Sequence, residues 1–532
     1  MEFDICIIGS GAGAGPIAYE LSTAGKKVVV LEKGEYFKRE DFSKDEIAYC
    51  RRDVVTPSLD DEYHIIEEFT EKGWENATTK ELNWSFWNGN IVGGASNFMS
   101  GFFHKFEPTD FILKTTFGTI EGANIEDWCV SYEEFAPYYE KVKEIVGVSS
   151  NTKEHPISEL LDNKSKEFGI STQKVSRAIL SENKNGRDGC YYSNYCGSYG
   201  CSSGAKGSSR EALLTPALER GNVTILPNMF VKRLNSQNNK VTEAIVYNKK
   251  TNKEEIIKAK IFVVACGAIE SSRLLLNSTS KEYPNGLANS SGEVGKNLVF
   301  SGGGVITCDL DETILEKHKL FTQGFFINRA FKDWYRLGDE KGGMVELIFE
   351  HANPIRKAIG QKWGDDGKLV WGEEFYKKLE IKFTKTKQLN CEIFTDWLPN
   401  DDCFVSIDKN HKDKYGVNVA KIRVGSHPQN QKVGEALAKK TIEFLNFLGG
   451  TNIQSDLSPY PPQNLQAGGC RFGNDPKTSV LDKNCKAWDV ENLYVTDGSF
   501  IPTGGSVPYT YTIYANSFRV AEAIKNDKAF FI

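Results

Sequence analysis

The first thirty-four residues constrain the fold of this chain more than any other stretch. An apolar run of strand length at 5–8, preceded by Asp4, is followed by glycines and small residues at 9–15. A helix-compatible segment then extends from 16 to 24, and a second apolar run at 28–31 ends on Glu32. Strand, glycine turn, helix and strand in this order predict a βαβ unit.

The glycine turn has the pattern of a dinucleotide-binding site. In such a unit Gly9 permits the tight turn, Gly11 lets the backbone approach a pyrophosphate, and Ala14 keeps helix and strand close. The helix N-terminus adds amide hydrogens and a partial positive charge for the phosphates. Glu32 lies 23 residues after Gly9 and suits a carboxylate that accepts hydrogen bonds from an adenosine ribose. We therefore expect a bound dinucleotide rather than a bare structural turn.

Length and composition fit a large globular protein. The 532 residues are enough for several domains or one elaborated enzyme, and a net charge of −6 offers no basic face for nucleic acid. No apolar run approaches the roughly 18 residues of a membrane span. Acidic residues precede the first apolar run, which is the reverse of a signal peptide. These features favour a cytoplasmic protein whose twelve cysteines are mostly reduced thiols or metal ligands.

Two later segments show the same order of an apolar run, a glycine turn and a helix. One lies at 261–276, with Gly267 at its turn. In the other, a strand ends at Asp497, a glycine-rich turn begins with Gly498, and a helix begins near Thr510. Both place a βα turn beside the first nucleotide site, and the second aims another helix N-terminus into the same crevice.

The remaining segments predict a scaffold around this crevice. A glycine-rich loop at 93–101 allows main chain to lie against a flat ring or a phosphate. Ser131 and Glu134 form a capping box, which predicts a helix that ends at Gly147. From about 302 to 461 alternating strands and a long helix around 431–448 indicate a second domain, built on an antiparallel sheet that covers the cofactor. The segment at 35–79 shows no clean period.

These blocks, in this order, resemble those of the glucose–methanol–choline (GMC) oxidoreductases, flavoproteins that hold FAD and oxidise alcohols by hydride transfer to flavin N5. The nearest branch is that of the FAD-dependent gluconate, glucose and fructose dehydrogenases. The resemblance covers most of the chain, in segments 5–34, 93–101, 132–148, 265–276, 292–298, 398–408 and 468–524. It implies an α/β fold with a Rossmann-like FAD-binding domain and a substrate domain on an antiparallel sheet.

The resemblance also implies a division of the chain and a set of cofactor residues. The FAD-binding domain comprises 1–40, 85–105, 205–300 and 465–532, and the substrate domain comprises 41–84, 106–204 and 301–464. Residues on the ADP half of FAD are Gly9, Gly11, Ala14 and Glu32. Residues on the flavin half are Gly93, Gly94, Ser96, Asn97, Asp497 and Gly498. Phe98 stands where some relatives attach FAD through a histidine, so we expect noncovalent flavin.

The chain departs from the family at the catalytic positions. Members carry a histidine where this sequence has Leu465, and a histidine or asparagine where it has Pro508. Neither residue accepts a proton, although a positioned base contributes roughly 10²–10⁴-fold to alcohol oxidation. Neighbouring and remote polar residues are the remaining catalytic candidates, namely Gln466, Asn464, Tyr509, Tyr511, His104 and His427.

A cysteine-rich loop at 190–206 concentrates Cys190, Cys196 and Cys201 among glycines and small residues. Three thiolates on a flexible loop suit an iron–sulfur cluster. The loop is similar to that of the multi-subunit dehydrogenases of this branch, whose catalytic subunit carries a three-iron cluster, but its second gap is one residue longer. An unmetallated loop of reduced thiols, a zinc site and a disulfide remain open alternatives. A cluster would carry electrons to a partner protein or small subunit.

Three functions follow from this sequence. The first is an FAD-dependent dehydrogenase that acts on a CH–OH group of a small or medium organic alcohol, sugar or polyol, with an acceptor other than oxygen. The second is a flavoenzyme with non-alcohol chemistry, either carbon–carbon bond reduction or dehydrogenation or a redox-neutral reaction. The third is a catalytically silent FAD-binding subunit. Family membership alone leaves the substrate undefined.

Overall fold

The computed structural model describes residues 2–47, 58–86, 88–193, 195–197, 199–317, 327–349, 353–364, 366–458, 461 and 465–530. The strands in these ranges are β1 (Glu2–Ile8), β2 (Val28–Leu31), β3 (Ile65–Thr70), β4 (Gly73–Thr78), β5 (Gln173–Lys174), β6 (Val223–Leu226), β7 (Met229–Gln237), β8 (Lys240–Asn248), β9 (Lys253–Val264), β10 (Leu298–Ser301), β11 (Gly304–Leu310), β12 (Arg329–Phe331), β13 (Arg336–Leu337), β14 (Glu340–Lys341), β15 (Met344–Phe349), β16 (Lys387–Phe394), β17 (Asp396–Trp397), β18 (Cys403–Lys412), β19 (Asn418–Val424), β20 (Thr451–Asp456), β21 (Gln466–Gly468) and β22 (Leu493–Val495).

The helices begin and end where the sequence supplies caps and turns. Ser131 caps α4 as predicted, since its hydroxyl accepts a hydrogen bond from the Glu134 amide at 3.2 Å and its own amide donates to the Glu134 carboxylate at 3.0 Å. The helices are α1 (Gly15–Thr23), α2 (Pro108–Phe111), α3 (Leu113–Phe117), α4 (Tyr132–Val142), α5 (Ile157–Phe168), α6 (Thr215–Glu219), α7 (Ala268–Asn277), α8 (Glu312–Lys317), α9 (Pro354–Gly360), α10 (Glu373–Glu380), α11 (Pro428–Leu448) and α12 (Thr510–Lys525).

The predicted βαβ unit lies at the centre of a parallel sheet. β1 pairs with β2 on one side and β9 on the other, so that Cys6 lies level with Val29 and Phe262. β6 extends the sheet beyond β2 and β22 extends it beyond β9, both in parallel, while β8 and β7 continue antiparallel from the first half of β9. Near-continuous apolar strands are typical of parallel sheets covered on both faces. Helix α1 packs against β2 and α12.

The second large sheet is antiparallel, with strand order β20-β11-β16-β15-β12-β5. Side chains alternate between its faces. Val345 and Leu347 belong to the apolar core that includes residues of α11, whereas Met344 and Ile348 belong to the core that includes β1 and β2. One face of this sheet is therefore turned towards the nucleotide-binding sheet, in agreement with the predicted α/β fold class.

The segment at 35–79 contains structure that the sequence did not reveal. Strands β3 and β4 form a hairpin there, and β3 pairs in parallel with β19, so that Ile66 lies level with Ile422. The four strands β18, β19, β3 and β4 make a separate sheet. Among the described residues no helix is both long and apolar enough to cross a membrane.

Candidate active site

A cavity of about 530 Å³ lies between the parallel sheet and the antiparallel sheet. Gly9, Gly11 and Glu32 line one end of it, where β1 and β2 finish. Glu346 and Pro508 are among the residues that line it beside β15 and the start of α12. The cavity has the size of a cofactor or ligand site, and it spans both regions that the sequence singled out.

The three glycines of the first turn are used in different ways. Gly9 has φ of 91°, and a Cβ there would lie 2.3 Å from the Ala265 carbonyl oxygen. A Cβ on Gly13 would lie 2.6 Å from the Asp497 amide nitrogen, so close packing here depends on Gly13. A Cβ on Gly11 would meet nothing within 4 Å, and Gly11 lines the cavity. Ala14 is buried in the core and does not line the cavity.

Glu32 is held at the cavity wall by a network that the sequence did not indicate. The Ser10 hydroxyl donates to Glu32 Oε2 at 2.5 Å, and the Gly34 amide donates to Oε1 at 2.9 Å. The same Ser10 oxygen accepts a hydrogen bond from the Gly93 amide at 2.9 Å. Burial raises the pKa of Glu32 against these hydrogen bonds. Ser10 therefore connects the first glycine turn, Glu32 and the second glycine loop.

The loop at 93–101 divides into lining and supporting residues. Gly94 and Ser96 line the cavity, whereas Gly93 and Asn97 do not. The Asn97 amide donates to the Val92 and Gly94 carbonyl oxygens at 3.0 and 2.9 Å and so fixes the turn. The Ser96 hydroxyl donates to the Gly93 carbonyl at 2.6 Å.

Phe98 and Asp497 both have their side chains committed to protein contacts. Phe98 is buried and contacts Phe42 edge-on at 6.3 Å, and it does not line the cavity. Asp497 lines the cavity with Gly498, and its Oδ2 accepts hydrogen bonds from the Gly267 amide at 3.0 Å and from the Ser271 hydroxyl. Asp497 thereby ties the end of β22 to the start of α7.

The two positions that depart from the family both line the cavity. Leu465 has φ of 58°, a left-handed conformation that is unusual for a bulky residue. Pro508, two residues before α12, also lines the cavity. Gln466 lines the cavity too, but its amide group donates to the Phe86 carbonyl at 3.2 Å and accepts from the Ile269 amide at 3.4 Å.

The other catalytic candidates are dispersed. Tyr509 lines the cavity, and its buried hydroxyl has no hydrogen-bond partner among the described residues. Tyr511 lies outside the cavity, and its hydroxyl donates to the Tyr139 carbonyl at 2.9 Å. Burial raises the pKa of the Tyr509 and Tyr511 phenols. His427 caps α11, where its Nδ1 accepts from the Gln429 amide at 3.2 Å. Asn464 lies outside the described residues.

Two carboxyl groups that the sequence analysis did not single out line the same cavity. Glu346 on β15 and Glu392 on β16 are directly paired across the strands. Burial raises the pKa of each to about 8, and the charge of Glu346 adds to the effect on Glu392. Glu346 Oε1 is buried and has no hydrogen-bond partner among the described residues. An acidic residue inside an otherwise apolar strand was the available sequence signal, in Met344-Val-Glu-Leu-Ile-Phe349 and Cys391-Glu-Ile-Phe394.

His104 lies behind this pair rather than on the cavity wall. Its Nε2 is 3.3 Å from Glu346 Oε2. Burial, together with the charges of Lys332 and Arg177, lowers the pKa of His104 well below its usual range. The neutral form of His104 is therefore favoured, and its ring forms a hydrogen bond with the Glu346 carboxyl group.

The cysteine-rich loop borders the cavity through Gly197. Cys190, Cys196 and Cys201 are free thiols, and in the described part of the chain no group of three His, Cys, Asp or Glu residues is arranged to hold a metal ion. Burial raises the pKa of Cys190 to about 11 and also raises that of Cys196. The expected iron–sulfur cluster thus gains no support from the geometry of this loop.

Comparisons with known proteins agree with this architecture. Family models described as GMC oxidoreductase match residues 72–301 and 399–517. The chain is 27% identical to 2-methyl-1,2-propanediol dehydrogenase of Mycolicibacterium austroafricanum, over 98% of this chain and 95% of the relative. It is 27% identical to paromamine 6'-oxidase of Streptomyces fradiae (99% and 92% covered) and 24% identical to the fructose dehydrogenase large subunit of Gluconobacter japonicus (99% and 98% covered).

Solved structures share the fold at lower identity. Pyridoxine 4-oxidase from Mesorbium loti superposes with a TM-score of 0.63 at 16% identity, over 98% of this chain and 99% of that one. A variant of formate oxidase from Aspergillus oryzae RIB40, studied for its FAD modification, gives 0.64 at 14% identity, over 100% and 99%. Because the two family models together match more than half of the chain, the protein belongs to the GMC oxidoreductase family and is an FAD-dependent oxidoreductase.

Proposed function

We propose that this enzyme dehydrogenates a CH–OH group of a small or medium organic alcohol, sugar or polyol and passes the electrons to an acceptor other than oxygen. One observation carries the proposal, which is that a single cavity contains both the dinucleotide-type turn and the carboxyl pair of Glu346 and Glu392. FAD, when bound, supplies the hydride acceptor. The protein must then take up the hydroxyl proton.

The residues around the turn fit FAD. The open side of Gly11 leaves room for a pyrophosphate, and the Glu32 carboxylate, fixed by Ser10, suits the hydroxyl groups of an adenosine ribose. Gly94, Ser96 and Gly498 line the cavity on the flavin side. Noncovalent attachment is part of the proposal, because Phe98 offers no nucleophile at the position of the family histidine.

Glu346 and Glu392 are the proposed proton acceptors. Leu465 and Pro508 cannot accept a proton, whereas a carboxylate with a pKa of about 8 is close to the optimum for a general base near neutral pH. His104 is placed to orient Glu346 through the hydrogen bond between its Nε2 and Glu346 Oε2. Glu346 Oε1 has no hydrogen-bond partner among the described residues, which leaves this oxygen available to a proton.

The relatives support a polar, hydroxylated substrate, and one of them supports a separate electron acceptor. Their names specify a propanediol, paromamine and fructose as substrates, and the last is the large subunit of its enzyme. By analogy, a partner protein or small subunit would receive the electrons. We retain a cytoplasmic location within the proposal, since the cysteines of the described residues are free thiols.

The main alternative is a flavoenzyme with non-alcohol chemistry, and the apolar residues Leu465 and Pro508 on the cavity wall favour it. Such an enzyme would reduce or dehydrogenate a carbon–carbon bond and would not need a base for a hydroxyl proton at these positions. A catalytically silent FAD-binding subunit is the third candidate. The two carboxyl groups in the same cavity favour an active enzyme over a silent subunit, and the names of the relatives favour the alcohol dehydrogenase over carbon–carbon chemistry.

Reduction of the bound flavin under anaerobic conditions tests the proposal. Diols, sugars and amino sugars should bleach the flavin, and the Glu346→Gln/Glu392→Gln double variant should slow bleaching by about 10²–10⁴-fold. Asp456→Asn is the matched control, because Asp456 lies on the exposed edge strand of the same sheet, opposite Val305. Bleaching by enoyl-type donors alone would establish the alternative. A flavin that only dithionite reduces would indicate a silent subunit.

A further inference from the structure

The chain makes a long excursion between two strands that are direct neighbours. β15 ends at Phe349 and β16 begins at Lys387, and Phe349 lies opposite Leu389. A hairpin needs only about two to five connecting residues, so most of this connection has another purpose. We call residues 353–386, which include α9, α10 and a helical turn at 381–385, the aromatic–basic excursion.

The aromatic–basic excursion has no core of its own. No residue of α9, α10 or the turn at 381–385 is buried. The two helices have 7 and 8 residues, fewer than the roughly 12–15 that an isolated helix needs for even marginal stability in water. One end is fixed, since the Glu46 carboxylate accepts hydrogen bonds from the amides of Ile355 and Arg356 at 2.8 and 3.0 Å. Helices of this kind require a packing partner beyond themselves.

Its apolar side chains are turned outward. Of the sixteen large hydrophobic side chains that are exposed in the described part of the chain, eight belong to this excursion. Trp371 is 81% exposed and Tyr376 is 72% exposed. The Lys378 ammonium donates to the Trp363 carbonyl at 2.7 Å, and Trp363 pairs with Leu369, so α10 and the preceding turn form one small unit. Concentrated exposure of this kind marks an interaction surface.

The charge of the excursion is opposite to that of the protein. Residues 353–386 contain eight Lys or Arg and five Asp or Glu, a net charge of +3, whereas the whole chain carries −6. A surface that is both aromatic and basic complements one that is both apolar and anionic. Two copies of the same basic surface would repel each other, which disfavours a symmetric dimer through this face.

We propose that the aromatic–basic excursion docks the enzyme on the surface of a bilayer that contains anionic lipids. Tryptophan and tyrosine concentrate at the membrane interface because their rings have an apolar body and a polar edge. Lysine stems lie along the apolar boundary while their ammonium groups reach the headgroups. Attachment is interfacial, with α9 and α10 lying in the surface. The inference is independent of the proposed reaction.

Cosedimentation of the flavin-loaded, full-length enzyme with lipid vesicles tests this inference. The enzyme should bind vesicles of phosphatidylcholine and phosphatidylglycerol but not vesicles of phosphatidylcholine alone, and added salt should weaken binding. Trp371→Ser/Tyr376→Ser should weaken it at least about tenfold. Phe69→Ser/Trp488→Ser, which removes two exposed aromatic residues elsewhere, should bind like the unmodified enzyme. All forms should retain equal flavin content and equal flavin reduction rates without vesicles.

Three results would overturn the inference. One is an absence of binding to anionic vesicles. Another is equal loss of binding in the excursion variant and the control variant. The third is concentration-dependent self-association, or capture of an acidic protein, that Trp371→Ser/Tyr376→Ser abolishes while vesicles stay unbound, because the excursion would then be a protein interface. If alcohols and sugars failed to reduce the flavin, vesicle binding would be unaffected, so each proposal can fail without the other.

Discussion

Glu346 and Glu392 project from directly opposed positions of β15 and β16 into one cavity. Directly paired residues share a face of the sheet, and like charges at such positions destabilise each other. Burial raises the pKa of both carboxyl groups to about 8, although Arg177 and Lys332 act in the other direction on Glu346. The pair therefore titrates as a unit and is able to hold or release a proton near neutral pH.

The first prediction concerns the pH dependence of flavin reduction. A base must be deprotonated to act, so the rate should rise with pH through about 8. Glu346→Gln removes the charge that raises the pKa of Glu392, and the remaining inflection should move to lower pH. Stopped-flow reduction across the neutral and alkaline range checks both outcomes. A flat profile in the unmodified enzyme, or unchanged inflections in Glu346→Gln, would exclude the pair as the base; Asp456→Asn is the control.

The second prediction concerns stability. A carboxyl group with a higher pKa in the folded protein than in the unfolded chain makes the folded state bind more protons between those two values. The free energy of unfolding should therefore fall as pH rises from about 4.5 to about 8. The double Gln variant should lose much of this dependence and gain on the order of a few kcal/mol at pH 8. Urea unfolding of the flavin-free proteins at several pH values measures the free energy of unfolding. An equal change of this free energy with pH in the two proteins would contradict the prediction.

Local patterns in the sequence were enough for much of the scaffold. The βαβ unit and the Ser131–Glu134 capping box each depend on residues close together in the chain, and both are present. The β3–β4 hairpin escaped notice because β3 pairs with β19, about 350 residues further on. Strand β4 of this hairpin has no buried residue, so it lacks the apolar pattern by which a strand is predicted.

The candidate site was predictable only in part, for a similar reason. The turn at Gly9 and Gly11 and the departures at Leu465 and Pro508 are visible in the sequence. Glu346 carries a signal, an acid in an apolar strand, but the alternation of side chains does not tell which face borders a cavity. The contact between His104 and Glu346 joins residues 242 positions apart, and no local pattern encodes it.

The third prediction separates two glycines of the first turn. Gly13→Ala places a methyl group against the backbone of Asp497, which cannot move aside as a flexible side chain can. This variant should lose about 1–3 kcal/mol of folding free energy, and it should also lose bound flavin. Gly11→Ala meets no protein atom within 4 Å, so the flavin-free protein should keep its stability while flavin binding weakens. Thermal unfolding and flavin titration distinguish these outcomes. Equal behaviour of the two variants would contradict the assignment.

The fourth prediction concerns Ser10. Ser10→Ala leaves Glu32 Oε2 without its hydroxyl donor and the Gly93 amide without its acceptor. Loss of partners for buried polar groups should cost about 1–3 kcal/mol each, and flavin affinity should fall because both glycine loops loosen. Ser22→Ala is a matched control, since the buried Ser22 also donates a hydroxyl hydrogen bond, to the Tyr19 carbonyl at 2.7 Å, but lies on α1 outside the cavity. Unchanged flavin affinity in Ser10→Ala would show that the connection is not needed.

The fifth prediction concerns which thiol of the cysteine-rich loop reacts first with an alkylating reagent. Burial opposes ionisation of Cys201, but the charge of Lys206 and a hydrogen bond with the Ser203 hydroxyl outweigh it and lower the pKa. Because the thiolate is the reactive form, iodoacetamide should modify Cys201 before Cys190 and Cys196, whose pKa values are raised. Ser203→Ala should slow this reaction, and peptide mass mapping locates it. Simultaneous protection of all three thiols in a protein that contains iron would contradict free cysteines here, since a bound metal would occupy the thiolate that Lys206 stabilises.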